Sequence, residues 1–222
     1  MRKNITLAFV IISFMGLTNV NAQRLAFGVF GESQVSWLTS DTKAYKSDGV
    51  TIGFNAGFTL EKYFAERYAI TTGASIASMG GNILFNNSGD TISTLDGSYT
   101  LSQGASAKIK GQYISVPLGL KFKTSEIGYT TFYADLGLKA NVAIKGHTWI
   151  NEHNVDREVL DRQHYNFAFI SYFINAGIQY SLGGPSSIQA GLTFTNNLTN
   201  PLRGSYSVLN IGTTGIRVGL IF

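Results

Sequence analysis

The sequence contains no cysteine, which excludes disulfide bonds and thiolate metal sites in this chain. It has only three prolines, and charged residues make up 14% of its 222 residues. A glycine-rich phosphate loop is also missing, because the glycines lie within alternating segments, where they ease strand curvature. Hydrophobic residues nevertheless reach 44% and aromatic residues 13%. The composition is therefore that of an ordered protein rather than a disordered one.

The first 22 residues have the layout of a secretory signal peptide. Arg2 and Lys3 form a positive start, residues 5–17 form an apolar stretch, and residues 20–22 match a small-residue cleavage site. An alternative is an amphipathic or membrane-anchoring first helix, for which the apolar run is short. We expect export and a mature domain at 23–222, with no lipid anchor because no cysteine follows the signal.

The mature chain carries little net charge. Without Arg2 and Lys3, 17 − 2 = 15 basic residues face 13 acidic residues. The apparent basicity therefore belongs mostly to the signal, and no nucleic-acid partner is predicted.

The mature sequence alternates apolar and polar residues in eight segments. In segment 50–60, apolar residues at even positions alternate with Thr, Gly, Asn and Glu at odd positions. This period predicts β-strands whose two faces meet different surroundings. The segments are 25–37, 50–60, 68–79, 113–122, 132–144, 167–182, 188–195 and 209–222.

The distribution of charge between the two faces decides the fold class. No Asp, Glu, Lys or Arg occupies the apolar phase, and the polar phase carries three acids and three bases. A soluble barrel such as a lipocalin needs many charges on its outer face, whereas an outer-membrane barrel has an apolar belt facing lipid and a polar interior. We therefore predict an all-β, eight-stranded antiparallel transmembrane β-barrel with up-and-down meander topology. The predicted luminal charges are Glu32, Glu61, Lys121, Asp135, Lys139 and Arg217.

The connections alternate between long and short, as expected for long external loops and short periplasmic turns. The predicted long connection 80–112 contains Asp96-Gly97 between two β-prone stretches, which indicates a hairpin that projects from the barrel, or else a mobile loop. The other long connections are 39–49, 145–166 and 196–208, and the short ones are 61–67, 123–131 and 183–187.

Aromatic residues on the apolar phase gather near both predicted membrane edges, as in interfacial girdles. A second explanation is that aromatic residues simply favour strands. The uncharged stretch 165–202 also fits a transmembrane helix by periodicity, although the break at 183–185 favours two strands. The aromatic residues are Phe27, Tyr68, Phe122, Phe132, Tyr180 and Phe222 at the periplasmic edge, and Trp37 and Phe194 at the other edge.

The segment YISVPLGLK at 113–121 resembles the PorT-type family of small outer-membrane β-barrel proteins, whose fourth strand often reads close to Y-I-E-I-P-L-L-L-K. The segment GLTFTNNLTN at 191–200 resembles the family's penultimate strand and its following loop. The resemblance implies that an aromatic closing strand is recognised by the barrel-assembly machinery. Gly219, Leu220 and Phe222 would then form an insertion signal.

The predicted lumen is polar and plugged, because an eight-stranded barrel is just wide enough for its own side chains. Three acids and three bases allow pairing of charges that are removed from water. A narrow solute path is the alternative. Pro117 falls on the inward phase and implies a bulge or a broken ladder bond. Further inward polar residues are Asn55, Tyr113, Tyr133, Asn141, Asn175 and Gln189.

Three histidines share the third long connection with four carboxylates, a composition that suits zinc or acid–base chemistry. Their spacing matches no compact ligand motif, and a charged, solvated loop is the other interpretation. We therefore predict no catalytic, cofactor or metal site. These residues are His147, His153 and His164, with Glu152, Asp156, Glu158 and Asp161.

The function predicted from these features is that of a non-enzymatic structural or interaction module in the bacterial outer membrane. Its expected partners are outer-membrane lipid, the barrel-assembly machinery during insertion, and an extracellular or periplasmic protein. The alternatives are a transporter or narrow channel, a secretion accessory as the PorT resemblance implies, and a barrel hydrolase that uses the histidine loop.

Overall fold

The computed structural model describes residues 24–222, so the predicted signal peptide lies outside the described residues. Eight of the strands are long and four are short, and two single turns of 3₁₀-helix lie at Arg162–His164 and Gly204–Val208. The strands are β1 (Leu25–Ser40), β2 (Tyr45–Ser47), β3 (Val50–Ala65), β4 (Tyr68–Phe85), β5 (Thr91–Ser93), β6 (Ser98–Thr100), β7 (Ser106–Lys123), β8 (Thr130–Ile150), β9 (Val155–Val159), β10 (Ala168–Ser181), β11 (Ser187–Asn197) and β12 (Leu209–Ile221).

The eight long strands form a closed barrel. They pair in the order β1-β3-β4-β7-β8-β10-β11-β12, and β12 returns to pair with β1. Every pairing is antiparallel, and each long strand pairs with the next long strand along the chain. The predicted eight-stranded antiparallel meander is confirmed.

The outer surface of the barrel is apolar. In β7 the outward-facing residues from 114 to 122 are all exposed and hydrophobic, whereas the residues between them face inward. The predicted aromatic residues at the periplasmic edge, including Phe27, Phe132 and Phe222, are also exposed on this surface. Burying this area against water-excluding lipid, rather than against protein, satisfies the apolar phase of the sequence.

The stretch 165–202 folds as the strands β10 and β11, not as a helix. Among the residues that the structure describes, no helix is long and apolar enough to cross a membrane. The two strands meet at a turn in which Gly183 and Gly184 adopt positive φ values of 89° and 69°. Glycine reaches these angles without steric cost, and the break in the pattern therefore marks a turn.

The strands β4, β7 and β8 extend beyond their predicted ends, so the predicted bounds of connections 80–112 and 145–166 are wrong. The pattern in β7 inverts near Gln112, because Ala107 and Ile109 face inward and are buried while Lys108 and Lys110 face outward. Above the apolar belt the outer face meets water, so the strand takes the ordinary arrangement of a soluble sheet.

The long connections pack together into a folded cap over one end of the barrel. The predicted hairpin exists as β5 and β6, with Thr94–Gly97 as its turn. Aromatic rings at the cap centre meet edge to face or tilted, with centroids 5.5–6.2 Å apart among Tyr45, Phe85 and Tyr206. Other buried members of this apolar core are Leu38, Ile83, Ile92, Leu101, Ile150, Leu160, Tyr165, Leu202 and Leu209.

Pro117 interrupts the ladder without shifting its register. Thr72 lies opposite Leu118 and Ser75 lies opposite Ser115, and the ladder between β4 and β7 is broken between these two pairs. The Thr72 hydroxyl donates to the Pro117 carbonyl oxygen at 3.0 Å. Of the two predicted outcomes, the structure has the broken ladder bond, because proline has no N–H to donate.

A test of the lipid-facing surface is the substitution Leu118→Arg. Leu118 is 62% exposed in the middle of the apolar belt, so an arginine there should lower the free energy of unfolding by about 2–4 kcal/mol in lipid vesicles. The matched control is Leu95→Arg, at a leucine 72% exposed in the cap hairpin, which should stay within about 0.5 kcal/mol of wild type. Urea titration followed by tryptophan fluorescence measures both, and equal effects would contradict a lipid-facing Leu118.

Candidate functional site in the barrel lumen

The first of two buried ion pairs in the lumen joins Glu32 of β1 to Arg217 of β12. The two residues lie directly opposite each other in the ladder that closes the barrel. Arg217 donates from Nε at 3.0 Å and from Nη2 at 2.8 Å to the same carboxylate oxygen, Oε2. Asn55 donates to this oxygen at 3.3 Å, and Thr193 donates to Oε1 at 2.7 Å. The guanidinium lies 4.1 Å from the ring centroid of Phe30. The carboxylate is therefore fully hydrogen-bonded, as a buried charge requires.

The second ion pair joins Lys121 of β7 to Glu61 of β3, two strands that lie on either side of β4 in the barrel. The Lys121 ammonium donates to Glu61 Oε1 and, at 3.3 Å, to Gln189 Oε1. The hydroxyl of Tyr63 donates to the other Glu61 oxygen at 2.7 Å. The ammonium also lies 4.7 Å from the ring centroid of Tyr133. Both charged side chains are almost completely buried, at 1% and 2% exposure.

The remaining two luminal charges do not pair with each other. Asp135 accepts a hydrogen bond from the Thr71 hydroxyl at 2.9 Å. The Lys139 ammonium donates to Thr195 Oγ1 at 3.4 Å and lies 5.6 Å from the ring of Phe173. Within residues 24–222, neither forms an ion pair within 4.0 Å.

Two voids among the described residues of the lumen are each large enough for about one water molecule. One is lined by Asp135, Lys139 and Arg217 among others, and a second by Glu61, Asp135 and Asn175 among others. Each has a volume of about 20 Å³. A void needs roughly 10–15 Å³ to hold one water, so neither accommodates an organic solute.

The predicted neutral residues of the lumen divide into two environments. Asn141 accepts from the Ser115 hydroxyl at 2.7 Å and donates to the Ser171 hydroxyl at 2.8 Å. Tyr113 lies instead in the apolar core of the cap, edge to face with Phe169 at 5.3 Å between centroids. The alternating pattern of the strand correctly predicts that Tyr113 faces inward. Its position near the cap end of β7 places it among apolar rather than polar neighbours.

Several residues of the network were not singled out by sequence reasoning. Tyr63, Thr71 and Thr193 each supply a hydroxyl to a buried carboxylate. The one available signal was parity, because Tyr63 lies two residues after Glu61 on the same phase of β3. Parity gives the facing direction but not the partner.

The three histidines lie in separate surroundings. His147 lies in β8 opposite Lys110 of β7, and His153 contacts the Thr100 carbonyl oxygen at 2.8 Å through Nε2. His164 accepts a hydrogen bond from the Ser93 backbone N–H at 2.9 Å through Nε2. Within the part of the chain that the structure describes, no three His, Asp or Glu side chains are arranged to hold a metal ion.

The neighbouring carboxylates serve local structure. Glu158 accepts from the hydroxyls of Thr94 at 2.6 Å and Tyr99 at 2.8 Å. Glu152 accepts from the backbone N–H of Ser102 at 3.0 Å, and Asp161 accepts from the backbone N–H of Gln163 at 3.2 Å. The contacts of Glu158 tie the third connection to the β5–β6 hairpin.

The pair Glu61–Lys121 gives a test of the luminal network. Glu61→Gln leaves the buried Lys121 charge uncompensated and should lower the free energy of unfolding by about 3–5 kcal/mol. Replacing both residues by Met removes both charges and should cost clearly less than the single change. Urea unfolding in lipid vesicles, read by heat-modifiable electrophoretic mobility, measures both variants. The exposed Glu66→Gln is the control, and an equally small effect of Glu61→Gln would contradict the pairing.

His164 gives a test of the cap. Burial lowers the pKa of His164 below its ordinary value of 6.5, so the folded cap binds fewer protons than the opened one. Its contribution to stability is complete above about pH 6.5 and is lost as pH falls below that value through the folded pKa. Hydrogen exchange of β5, corrected for intrinsic rates, should therefore be faster at about pH 5 than at about pH 7.5.

The matched variants for this test are His164→Phe and His153→Phe. The first should remove the pH response of β5, because the titrating ring that accepts the Ser93 N–H is gone. The second should keep it, because His153 is exposed and contacts a different strand. A response that persists unchanged in His164→Phe would assign it to another group.

The chain is similar to several solved structures. Neisserial surface protein A is 10% identical, with a TM-score of 0.51, and the alignment covers 88% of this chain and 97% of that one. OprG from Pseudomonas aeruginosa is 13% identical, with a TM-score of 0.45 and coverage of 89% and 94%. The outer membrane protease OmpT from Escherichia coli is 8% identical, with a TM-score of 0.40 and coverage of 93% and 99%. The likeness to the neisserial protein shows the fold alone.

The sequence also matches a family model. Compared with curated proteins, it has no match. The model of the outer membrane protein beta-barrel domain matches residues 16–211, which include most of the closed barrel and its cap. The narrower PorT-type assignment is not part of this match. The chain therefore belongs to the outer membrane protein beta-barrel domain family and is an integral β-barrel protein of the bacterial outer membrane.

Proposed function

We propose that this protein is a non-enzymatic structural or interaction module whose lumen is sealed and whose folded cap is presented to a protein partner. The observation that carries the proposal is the filling of the lumen. Two ion pairs lie within it, the voids beside them hold about one water each, and the apolar core of the cap covers its external end. A solute would have to displace both the ion pairs and the core of the cap in order to pass.

The cap is suited to recognition because its connections hold one another in place. Asn166 donates to the carbonyl oxygens of Asn200 at 2.6 Å and Leu202 at 3.2 Å, and Arg203 Nε donates back to Asn166 Oδ1 at 2.6 Å. The bridges Thr94–Leu160 and Tyr165–Leu202 add backbone contacts between connections. A surface ordered before binding loses less conformational entropy when a partner binds.

The non-enzymatic part of the proposal is supported by the use of the titratable groups. The histidines do not converge, and Glu152, Glu158 and Asp161 accept hydrogen bonds from nearby cap groups. A general base needs a free position within hydrogen-bond reach of a substrate. These carboxylates serve instead to fold the cap.

A narrower assignment to the PorT-type family is part of the proposal and is supported by the segments at 113–121 and 191–200. Under this assignment the protein would be a secretion or transport accessory barrel, and Gly219, Leu220 and Phe222 would form the signal read by the assembly machinery. In the barrel, Phe222 exchanges two backbone hydrogen bonds with Phe27, at 2.7 and 3.2 Å. This contact fastens the last strand to the first.

Liposome swelling tests the sealed lumen. Vesicles that contain the purified protein should swell in isosmotic arabinose no faster than protein-free vesicles, because no continuous water path crosses the network. Vesicles that contain a general porin, at an equal number of barrels per vesicle, show that the assay detects an open lumen. Swelling at a rate close to that of the porin would overturn the proposal and favour the channel alternative.

A further inference from the structure

Four basic residues lie on the outer surface of β7, β8 and β9, beyond the apolar belt. We call Lys108, Lys110, Lys145 and Arg157 the external basic patch. In β7 the side chains at 108 and 110 face away from the cap core, since Ala107 and Ile109 are buried in it. Lys145 and Arg157 are exposed. The patch therefore faces away from the lumen and from the proposed sealing network.

The height of the patch places it at the membrane boundary. A transmembrane β-strand needs about 9–11 residues, and in β7 the outward face is apolar from Phe122 to Ile114 before it turns polar at Gln112. Lys110 is the next outward residue. In β8 the exposed Ile144 immediately precedes Lys145. Because long connections lie on the outside of such barrels, this boundary faces the external leaflet.

The register brings the basic side chains close to one another. Lys110 lies opposite His147, and Lys145 lies two residues before His147 on the same strand. Diagonal neighbours of this kind are about 7–8 Å apart. Lys108 lies opposite Trp149, and its ammonium is 4.6 Å from the centre of the indole ring.

Lys110 is held flat against the sheet. Gly80 of β4 lies opposite it in the ladder. The ammonium reaches the carbonyl oxygen of Ile52, at a distance of 2.8 Å. This position fixes a positive charge just above the exposed apolar side chains of Ile52 and Ile114.

The charges of the patch are not neutralised by carboxylates. Over residues 24–222, none of its four members forms an ion pair within 4.0 Å. Arg157 itself adopts a positive φ of 59°, which an L-residue with a long side chain rarely adopts.

We propose that the external basic patch binds the phosphate of a phosphorylated glycolipid in the external leaflet, whose acyl chains lie along the apolar belt below it. Lysine and arginine side chains supply several donors to phosphate oxygens, and Trp149 offers an apolar face beside them. The occupant is a lipid rather than a soluble anion because the patch is continuous with the lipid-facing surface. Basic residues next to a membrane surface attract anionic lipid in this way.

The test compares lipid retention by the folded protein and its variants. Wild type in nanodiscs that contain lipid A should retain it in native mass spectrometry, and dephosphorylated lipid A should be retained at least about tenfold less. The variant Lys108→Gln, Lys110→Gln, Lys145→Gln and Arg157→Gln should lose retention of phosphorylated lipid A by at least about tenfold. The control variant Lys43→Gln, Lys46→Gln, Lys62→Gln and Arg67→Gln removes the same charge at exposed sites outside the patch and should behave as wild type.

Heat-modifiable mobility of all three proteins confirms that each barrel is folded. The proposal is overturned if the patch variant retains lipid A as wild type does, or if the phosphorylated and dephosphorylated lipids are retained equally. Adding inorganic phosphate at about 10 mM distinguishes the two possible ligands, the phosphate group of a lipid and a free phosphate ion. Retention that survives it supports a lipid site, whereas complete displacement by phosphate alone would assign a free-anion site and refute the lipid occupant.

Discussion

Hydrocarbon offers no partner for a backbone N–H or C=O group, and this constraint governs the whole molecule. A sheet can enter the membrane only if its edges are joined, because each unpaired group would cost several kcal/mol there. The pairing of β12 with β1 removes the last free edge, and it is continuous from Gly28 opposite Ile221 to Ser40 opposite Leu209. Pro117 interrupts the ladder between β4 and β7 locally, but it does not open the ring.

Closure of the ring also creates the luminal chemistry. Alternate side chains of each strand face the barrel interior, which is too narrow for bulk water. Charged groups there therefore need partners from within the protein. Glu32 pairs with Arg217 on the neighbouring strand, whereas Glu61 pairs with Lys121 on the next strand but one. A third acid and a third base remain close to a water-sized void instead of pairing. The network therefore consists of hydrogen bonds as much as of salt bridges.

The change of solvent along a strand explains where sequence reasoning succeeded and failed. Within the membrane, the rule of apolar outside and polar inside assigned residues 114–122 of β7 correctly. Above it, residues 106–111 still alternate, but with the phase reversed, and the predicted connection 80–112 includes them. The signal was available in Ala107-Lys108-Ile109-Lys110, whose charges mark a water-facing surface. The cap and the external basic patch both arise from this reversal.

The sequence by itself determined the barrel, because the preference of each side chain for lipid or for a polar interior is local and alternates with the strand period. It also determined the six luminal charges and the hairpin in the second long connection. Only the tertiary structure decided their partners, since Glu32 and Arg217 are 185 residues apart and Lys121 and Glu61 are 60 apart. Those distances along the chain are bridged by the register of a closed ring, which no local pattern encodes. The core of the cap and the meeting of Lys110, Lys145 and Arg157 depend on the same long-range register.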